Sequence, residues 1–366
     1  MRTLLAIAAC VLLGAPAWAG ELRYPQFPPL PRAPRDPGNP PTPARRNLGA
    51  ELFFDARLST SGFTSCSNCH VFNTNWQDNL VKPRPDTSQG ADFFTLPFNT
   101  DSLLNIVYRD FFFRDGRTQD LGHAFTEPWI EDNQQLGKTR AEAAARLAEI
   151  LRGKPGYVAR FRRAFRQDIR QLPDEDVFDL AGKALAAFAR QLVTREAPFD
   201  RWNAGRGTIA AAAERGVALF VGKAGCVRCH VGANFTDNGF HNISSSPPRL
   251  DGTRADEGRA RVTGNPGDGG KFLTPTLRQV VMTSPYFHDG SALTLSDVID
   301  HLDAGTGADP NHDPMVGTPL GLTAAEKYDL FSFLKTLRGP QTIARGPTGR
   351  LCSDAAVAAL RAALPK

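Results

Sequence analysis

Apolar residues recur at helical spacing over several long stretches of the chain. Residues 138–153 and 173–196 are rich in helix-forming residues and carry their apolar positions on one face. In residues 322–339, Thr323 and Glu326 have the spacing of a helix capping box. No run of alternating β-branched residues competes with these patterns. The sequence therefore predicts a mainly α-helical fold with long loops.

One pattern, a short helix, a loop and then Cys-x-x-Cys-His, occurs twice in the chain. The first copy covers residues 47–70 and the second covers residues 211–230. A chain of 366 residues is long enough for two domains, each with its own core. The repeat therefore predicts a duplicated module with domains at 48–205 and 206–345, followed by a tail at 346–366.

The residues before the first copy have a different composition. Residues 1–19 have a charged start, an apolar run and a small-residue cleavage site ending at Ala19, which is the pattern of a signal peptide. No later stretch approaches the roughly 20 apolar residues of a membrane span. Residues 24–46 are rich in proline, which disfavours helices and central strands. We therefore expect an exported protein, with an extended leader over 20–47 that lies on the surface and holds no helix.

Composition and charge indicate a soluble globular protein and give no sign of a nucleic-acid partner. An apolar content of 41% and a charged content of 22% are typical of a soluble globular protein. The net charge of +5 is too small in a chain of this length to argue for a nucleic-acid partner. Exported proteins normally use their cysteines in disulfides, yet four cysteines lie in the two motifs. We assign no function to the isolated Cys352.

The two Cys-x-x-Cys-His motifs indicate haem attachment. Cysteines at i and i+3 lie on one side of a helical turn, so both thiols can form thioethers with one porphyrin edge. The adjacent histidine can then bind the iron. A zinc site normally needs two such pairs that converge on one metal, and it does not need a histidine directly after each pair. The sequence therefore predicts two covalently bound haem c groups, held by Cys66, Cys69, His70, Cys226, Cys229 and His230.

The sixth iron ligand decides what each haem can do. A haem with one protein ligand can bind oxygen or peroxide, whereas a haem with two protein ligands only transfers electrons. No histidine or methionine lies between His70 and His123. The first haem is therefore expected to be open.

Long stretches around both motifs carry a further resemblance. They are residues 48–70, 99–106 and 111–121 in the first half and residues 222–243, 256–301 and 319–337 in the second. In this order they resemble the bacterial di-haem cytochrome c peroxidase family, which also includes MauG. The resemblance covers nearly all of the mature chain, from about Leu48 to Leu337.

The resemblance implies a periplasmic enzyme with two cytochrome c-like domains. One haem would react with hydrogen peroxide, and the other would receive electrons from a small donor protein such as a cytochrome c or a cupredoxin. The resemblance also allows a homodimer. Two alternatives stay open: a MauG-like oxidase that modifies a protein or organic substrate, and a di-haem electron carrier without catalysis.

The resemblance further implies a calcium ion between the two domains. The family's ligands correspond to Asn99 and to the main-chain carbonyls of Thr283 and Pro285. Amide and carbonyl oxygens suit a hard cation, and ligands from both domains would fix the spacing of the haems.

The distal side of the first haem departs from the family. The family's proline corresponds to Pro128, but Gln134 or Gln135 stands where the family has a glutamate that transfers protons. An amide cannot take up and return a proton. Ala124 also replaces a distal glutamine, with His123 beside it. The residues that could replace the proton shuttle are His123, Glu127, Glu131 and Asp132.

The second haem also departs from the family. The methionine or tyrosine that supplies the family's sixth ligand corresponds to Leu302, which cannot bind iron. Either His301 or Met315 replaces it, or this haem is open as well.

A third departure lies in residues 109–118. The family usually has a tryptophan before Asp-Gly-Arg, where it can relay an electron between the haems, but Arg114 occupies this position. The usual relay is therefore absent unless Trp76 or Trp129 lies in the gap. Arg114 and Arg117 could instead pair with the haem propionates.

Overall fold

The computed structural model describes residues 21–82, 98–130, 136–194, 196–249, 254–305 and 309–341. The fold is mainly α-helical, as the sequence predicts. The α-helices are α1 (Pro43–Phe54), α2 (Cys66–Cys69), α3 (Leu121–Thr126), α4 (Arg140–Arg152), α5 (Pro155–Phe165), α6 (Asp174–Ala189), α7 (Pro198–Asn203), α8 (Ala211–Val221), α9 (Ala260–Thr263), α10 (Leu295–Ala304) and α11 (Ala324–Lys335). Two short antiparallel strands, β1 (Phe240–His241) and β2 (Phe272–Leu273), pair with each other.

Short 3₁₀ helices connect several of these elements. They are Ala56–Leu58, Phe72–Thr74, Ile106–Tyr108, Glu127–Trp129, Cys226–Arg228, Pro266–Asp268, Val280–Met282 and Pro314–Val316. Within the described residues, no helix is both long and apolar enough to cross a bilayer. The predicted signal peptide, the predicted tail, Cys352, Glu131, Asp132, Gln134 and Gln135 lie outside the described residues.

The helix predictions for the middle and the end of the chain are confirmed. α4 and α6 lie within the two amphipathic stretches and bury the apolar face of each. The capping box before α11 is also confirmed, since the Thr323 side chain accepts from the main-chain N–H of Glu326 and the Glu326 side chain accepts from that of Thr323. Local hydrogen bonds thus fix where this helix begins.

The buried apolar residues form two clusters. The first core contains Phe53, Trp76 and Trp129 and is built mainly on α1, α3, α4, α5 and α6. The second core contains Phe235 and Phe333 and is built mainly on α8 and α11. Each core also contacts one cysteine motif.

Both cores contain the same kind of helix crossing. A Cβ atom added at Gly49 of α1 would lie 1.9 Å from the main-chain oxygen of Ala184 in α6. A Cβ atom added at Gly216 of α8 would lie 2.0 Å from the main-chain oxygen of Asp329 in α11. Only glycine allows helix backbones to approach this closely. Each core therefore depends on one glycine in the helix that precedes its cysteine motif.

The prediction for the leader is wrong in two respects. α1 begins at Pro43, inside the stretch expected to hold no helix, because proline is tolerated at the first helical position and Thr42 caps the helix. Phe27 is only 1% exposed and stacks on Phe235 in the second core, with ring centroids 4.7 Å apart. The leader is therefore partly an element of the second core and does not simply lie on the surface.

The predicted boundary after residue 205 also differs from the packing. Phe199 and Trp202 of α7 are buried in the second core. Asp200, in the same helix, forms a bidentate ion pair with Arg278 at 2.9 and 3.0 Å, and both side chains are almost fully buried. α7 therefore packs with the second core, although it precedes the boundary that the sequence predicts.

Candidate haem centres

The first motif lies on a single helical turn. Cys66 and Cys69 are the ends of α2, which brings both thiols to one side. His70 follows the helix, and its Nδ1 lies 3.1 Å from the main-chain oxygen of Trp76. Because a carbonyl only accepts, Nδ1 is the donor and Nε2 is left to bind iron. Burial lowers the pKa of His70 and so favours the neutral imidazole that a metal requires.

The second motif repeats this arrangement in the second core. Nδ1 of His230 lies 3.0 Å from the main-chain oxygen of Phe235, which again leaves Nε2 for iron. Burial lowers the pKa of His230 as well. Phe235 and its counterpart Trp76 both have a positive φ, 53° and 61°. The same local backbone therefore turns a carbonyl toward each proximal histidine.

The cysteines do not form a shared metal site. Cys66 contacts the first core and Cys226 contacts the second, so the two pairs do not converge on one ion. Burial raises the pKa of Cys66, Cys69 and Cys226 to about 12, which keeps these thiols protonated. Two separate pairs, each followed by an oriented histidine, fit haem attachment better than zinc.

Unpaired buried donors also fit a haem. Nε1 of Trp76 and Nε of Arg114 are buried and have no hydrogen-bond partner among the described residues. A buried N–H without a partner is costly in free energy. Haem propionates are anionic acceptors that could remove this cost.

A cavity of about 280 Å³ is lined in part by the second motif. Its walls include His230, Leu302 and Met315. His301 is not part of these walls, because its Nε2 lies 2.7 Å from the main-chain oxygen of Ile243. Two residues are predicted as the sixth ligand. Met315 lines the same cavity as His230, whereas His301 does not line it.

A charged clamp holds the segment that carries Met315. His241 contacts Asp313 through Nδ1 and Asp237 through Nε2. The second oxygen of Asp313 accepts from the main-chain N–H of Met315 at 3.0 Å. Cys229, Asp237 and His241 also bring their ligand atoms within 4.8 Å of one another, but a thioether at Cys229 would remove its thiol from any such set. The clamp therefore positions the Met315 segment.

Arg114 connects the first half of the chain to β2 in the second half. Its main-chain oxygen accepts from Leu273 in β2 at 2.9 Å. Its guanidinium pairs with Asp101 at 2.9 Å, and Arg109 pairs with the other oxygen of Asp101 at 3.0 Å. Burial raises the pKa of the Asp101 carboxyl, but Arg114 and Arg109 outweigh burial and hold this pKa below its usual value. Asp101 is therefore charged and shared by two arginines.

The other residues predicted for this region have different positions. The Arg117 guanidinium lies 3.7 Å from the ring centroid of Phe113 and pairs with Asp115. Trp76 and Trp129 lie in the first core, and neither is part of the cavity wall that contains Arg114. Neither indole therefore lies beside Arg114 in this cavity wall.

The predicted distal residues of the first haem are described only in part. His123 lies on α3, where its side chain is 44% exposed and its Nε2 is 3.0 Å from Glu127. Pro128 lies in the 3₁₀ helix that follows. The structure thus brings His123 and Glu127 together as a pair that could carry a proton.

The predicted calcium ligands fit by atom type. Thr283 and Pro285 are both part of the wall of the cavity that contains Arg114. Asn99 donates through Nδ2 to the main-chain oxygen of Leu80 at 2.7 Å, which leaves Oδ1 free to face a cation. This oxygen already faces the Arg114 guanidinium, with Nη2 at 3.5 Å. The set therefore does not fit calcium by charge.

Two groups of residues were missed by reasoning from the sequence. Asp101 pairs with Arg109 and Arg114, and Asp313 pairs with His241 across 72 residues of chain. Neither aspartate belongs to a motif with a local signature. Only contacts between distant segments reveal their roles.

Comparisons with known proteins agree with this geometry. A sequence model of the family described as di-haem cytochrome c peroxidase matches residues 43–208. The chain is 36% identical to methylamine utilization protein MauG of Methylorubrum extorquens, over 81% of this chain and 79% of that protein. It is 33% identical to cytochrome c551 peroxidase of Nitrosomonas europaea, over 80% of each. A solved MauG-like protein associated with microbial copper homeostasis is 27% identical, with a TM-score of 0.71 over 86% of this chain and 94% of that one.

Proposed function

Because the chain belongs to the di-haem cytochrome c peroxidase family, we propose that it reduces hydrogen peroxide with electrons from a small redox protein. The observation that carries the proposal is the pair of proximal histidines, His70 and His230, each anchored by a main-chain carbonyl in its own core. When bound, the haems supply iron for peroxide binding and for electron transfer. The protein would hold one iron through His70 and the other through His230.

We further propose that the two cores are duplicated cytochrome c-like haem domains. The equivalent glycine crossings at Gly49 and Gly216 support this, as do the equivalent positive-φ residues after each motif. In this arrangement the first haem is the peroxide site and the second is the electron-transfer site. His123 and Glu127 are the described residues that could move a proton on the distal side of the first haem.

Met315 is proposed as the sixth ligand of the second haem, supported by its position in the cavity wall with His230. Met315→Ala is expected to remove the low-spin signal of one haem and to lower its reduction potential, because a thioether ligand favours ferrous iron. EPR spectra of the ferric protein and a potentiometric titration measure both effects. His301→Ala is the matched control and should leave both unchanged, since its Nε2 is bonded to Ile243. The opposite pattern would assign the ligand to His301.

A second function has specific support. MauG of Methylorubrum extorquens is 36% identical to this chain, and the solved protein described above is MauG-like. A MauG-like oxidase would direct the same haems at a protein or organic substrate. Turnover of peroxide with reduced cytochrome c as the only other reactant supports the peroxidase. If turnover instead requires an added protein that becomes modified, the oxidase function is correct.

The proposal also covers where the protein works and whether it forms a homodimer. Residues 1–19 would direct export, so that the mature chain works in the periplasm and meets a small cytochrome c or cupredoxin there. N-terminal sequencing of the exported protein tests cleavage after Ala19. Light scattering of the purified protein tests whether it forms a homodimer. Calcium is left out of the proposal because of the charge at Arg114.

A further inference from the structure

Arg114 places a fixed positive charge beside β2, in the wall of the cavity at the second motif. Only 15% of its side chain is exposed, and its main-chain oxygen accepts a hydrogen bond from the main-chain N–H of Leu273 in β2. The side chain is part of the wall of the cavity that contains His230, Thr283 and Pro285. The guanidinium is therefore an internal group in the wall of the cavity at the second motif.

Each nitrogen of this guanidinium has a distinct environment. Nη2 lies 2.9 Å from Asp101 Oδ1 and 3.5 Å from Asn99 Oδ1. Nε is buried and has no partner among the described residues. One cation thus contacts a carboxylate, faces an amide oxygen and keeps a donor for a further anion such as a haem propionate.

The orientation of Asn99 is set by its own hydrogen bonds. Its Nδ2 donates to the main-chain oxygen of Leu80 at 2.7 Å, and its main-chain N–H donates to that of His288 at 2.7 Å. Oδ1 must then point away from Leu80, toward Arg114. The amide oxygen that would bind calcium therefore already faces a cation.

The charges around this position oppose a second cation. Asp101 is shared by Arg109 and Arg114, so the three side chains together carry one positive charge. Asn99 and the carbonyls of Thr283 and Pro285 add no negative charge. Calcium sites gain affinity from carboxylate ligands, and like charges repel strongly in a buried site.

We propose that the Arg114 guanidinium takes the place of calcium between the two haem sites of this chain. It contacts the same amide oxygen, but it is covalently tethered and always charged, so no chelator can remove it. The proposal rests on the proposed di-haem function only for the identity of the neighbouring sites. The charges that oppose calcium next to Asn99 are those of Asp101, Arg109 and Arg114.

Calcium binding to the holoprotein tests this proposal. The wild-type protein is treated with a chelator, desalted, and then titrated with calcium chloride by calorimetry, with metal content measured by mass spectrometry. We expect no stoichiometric binding by the wild type. Arg114→Gln should bind about one calcium ion per chain, at least about 100-fold more tightly than the wild type does. The reason is that the substitution removes a positive charge next to Asn99 Oδ1.

Two matched variants separate proximity from net charge. Arg109→Gln removes a positive charge from the same aspartate but leaves Arg114 beside Asn99, so it should still bind no calcium. Arg114→Lys keeps a positive charge at the position and should also bind none. Haem content per chain and the thermal midpoint are measured for each variant, so that a folding defect is recognised.

One tightly bound calcium ion per chain in the wild type would overturn the proposal. Calcium binding by Arg109→Gln that is as tight as calcium binding by Arg114→Gln would overturn it as well. Peroxide turnover is followed in the same samples with and without chelator. Equal turnover with and without chelator supports the proposal, whereas turnover that is lost only on chelation contradicts it. Absent turnover in both samples of a protein with two haems contradicts the peroxidase function and leaves the metal result intact.

Discussion

Replacing His70 with alanine is expected to lower steady-state peroxide turnover by at least about 1,000-fold, a loss of about 4 kcal/mol of transition-state stabilisation. His70 is the proximal residue of the first motif, and its Nδ1–H bond to Trp76 fixes which nitrogen faces the iron. Without this imidazole, the iron loses the ligand through which the protein orients it and tunes its electron density. Turnover is measured as peroxide consumed with a reduced c-type cytochrome as donor.

His230→Ala is the matched comparison because it removes the equivalent ligand in the second core. It should block electron entry, so that steady-state turnover falls while the fully reduced protein still reacts once with peroxide at close to the wild-type rate. His70→Ala should lose the single-turnover reaction as well. Haem content per chain shows whether each variant has kept both haems. The reversed result would assign the peroxide site to the second core.

Gln134→Glu is expected to raise the rate of the reaction with peroxide by about 100-fold, within the range that general acid–base catalysis contributes. The expectation rests on the resemblance, which places a glutamate at this position or at Gln135. A carboxylate can move a proton between the peroxide oxygens, whereas an amide cannot. Stopped-flow spectra of the ferric protein mixed with peroxide measure the rate.

Gln135→Glu is the control, since it adds the same charge one residue further along. Acceleration by Gln135→Glu alone would instead assign the family's glutamate to that position. The rate of the accelerated variant should fall at low pH as the new carboxylate becomes protonated. If neither variant accelerates the reaction, proton transfer is not limited by the missing glutamate. His123 and Glu127, which lie 3.0 Å apart, would then become the first residues to replace.

Features with a local cause could be predicted from the sequence. The haem motifs need only a helical turn and an adjacent histidine, and the start of α11 needs only Thr323 and Glu326. The helical periods of α4 and α6 are local as well. In each case the residues that determine the feature lie within a few positions of one another.

Features that depend on distant contacts could not be predicted in this way. Proline-rich composition predicts an extended surface segment around Phe27, because composition carries no signal for a single ring buried in a distant core. α7 joins the second core through Asp200 and its partner Arg278, 78 residues away. The glycine crossing at Gly49 is a contact with the main chain of Ala184, so the identity of the partner residue carries no signal.

The choice between His301 and Met315 shows the same limit. Both have iron-binding atoms and follow the second motif, so the sequence leaves them equal. Their orientations differ because Ile243 engages His301 while Asp313 holds the segment of Met315. The contact of His301 with Ile243 and that of Asp313 with His241 are long-range, and no local pattern encodes them.

We propose that this chain reduces peroxide with electrons that pass from the second haem site to the first. The most direct test counts electrons: purified holoprotein is mixed with hydrogen peroxide and an excess of a reduced small cytochrome c, and both reactants are followed over time. We expect two donor molecules to be oxidised for each peroxide consumed, and we expect His70→Ala to be inactive. Peroxide loss without donor oxidation, or no reaction with either reactant in a protein that carries two haems, would contradict this proposal.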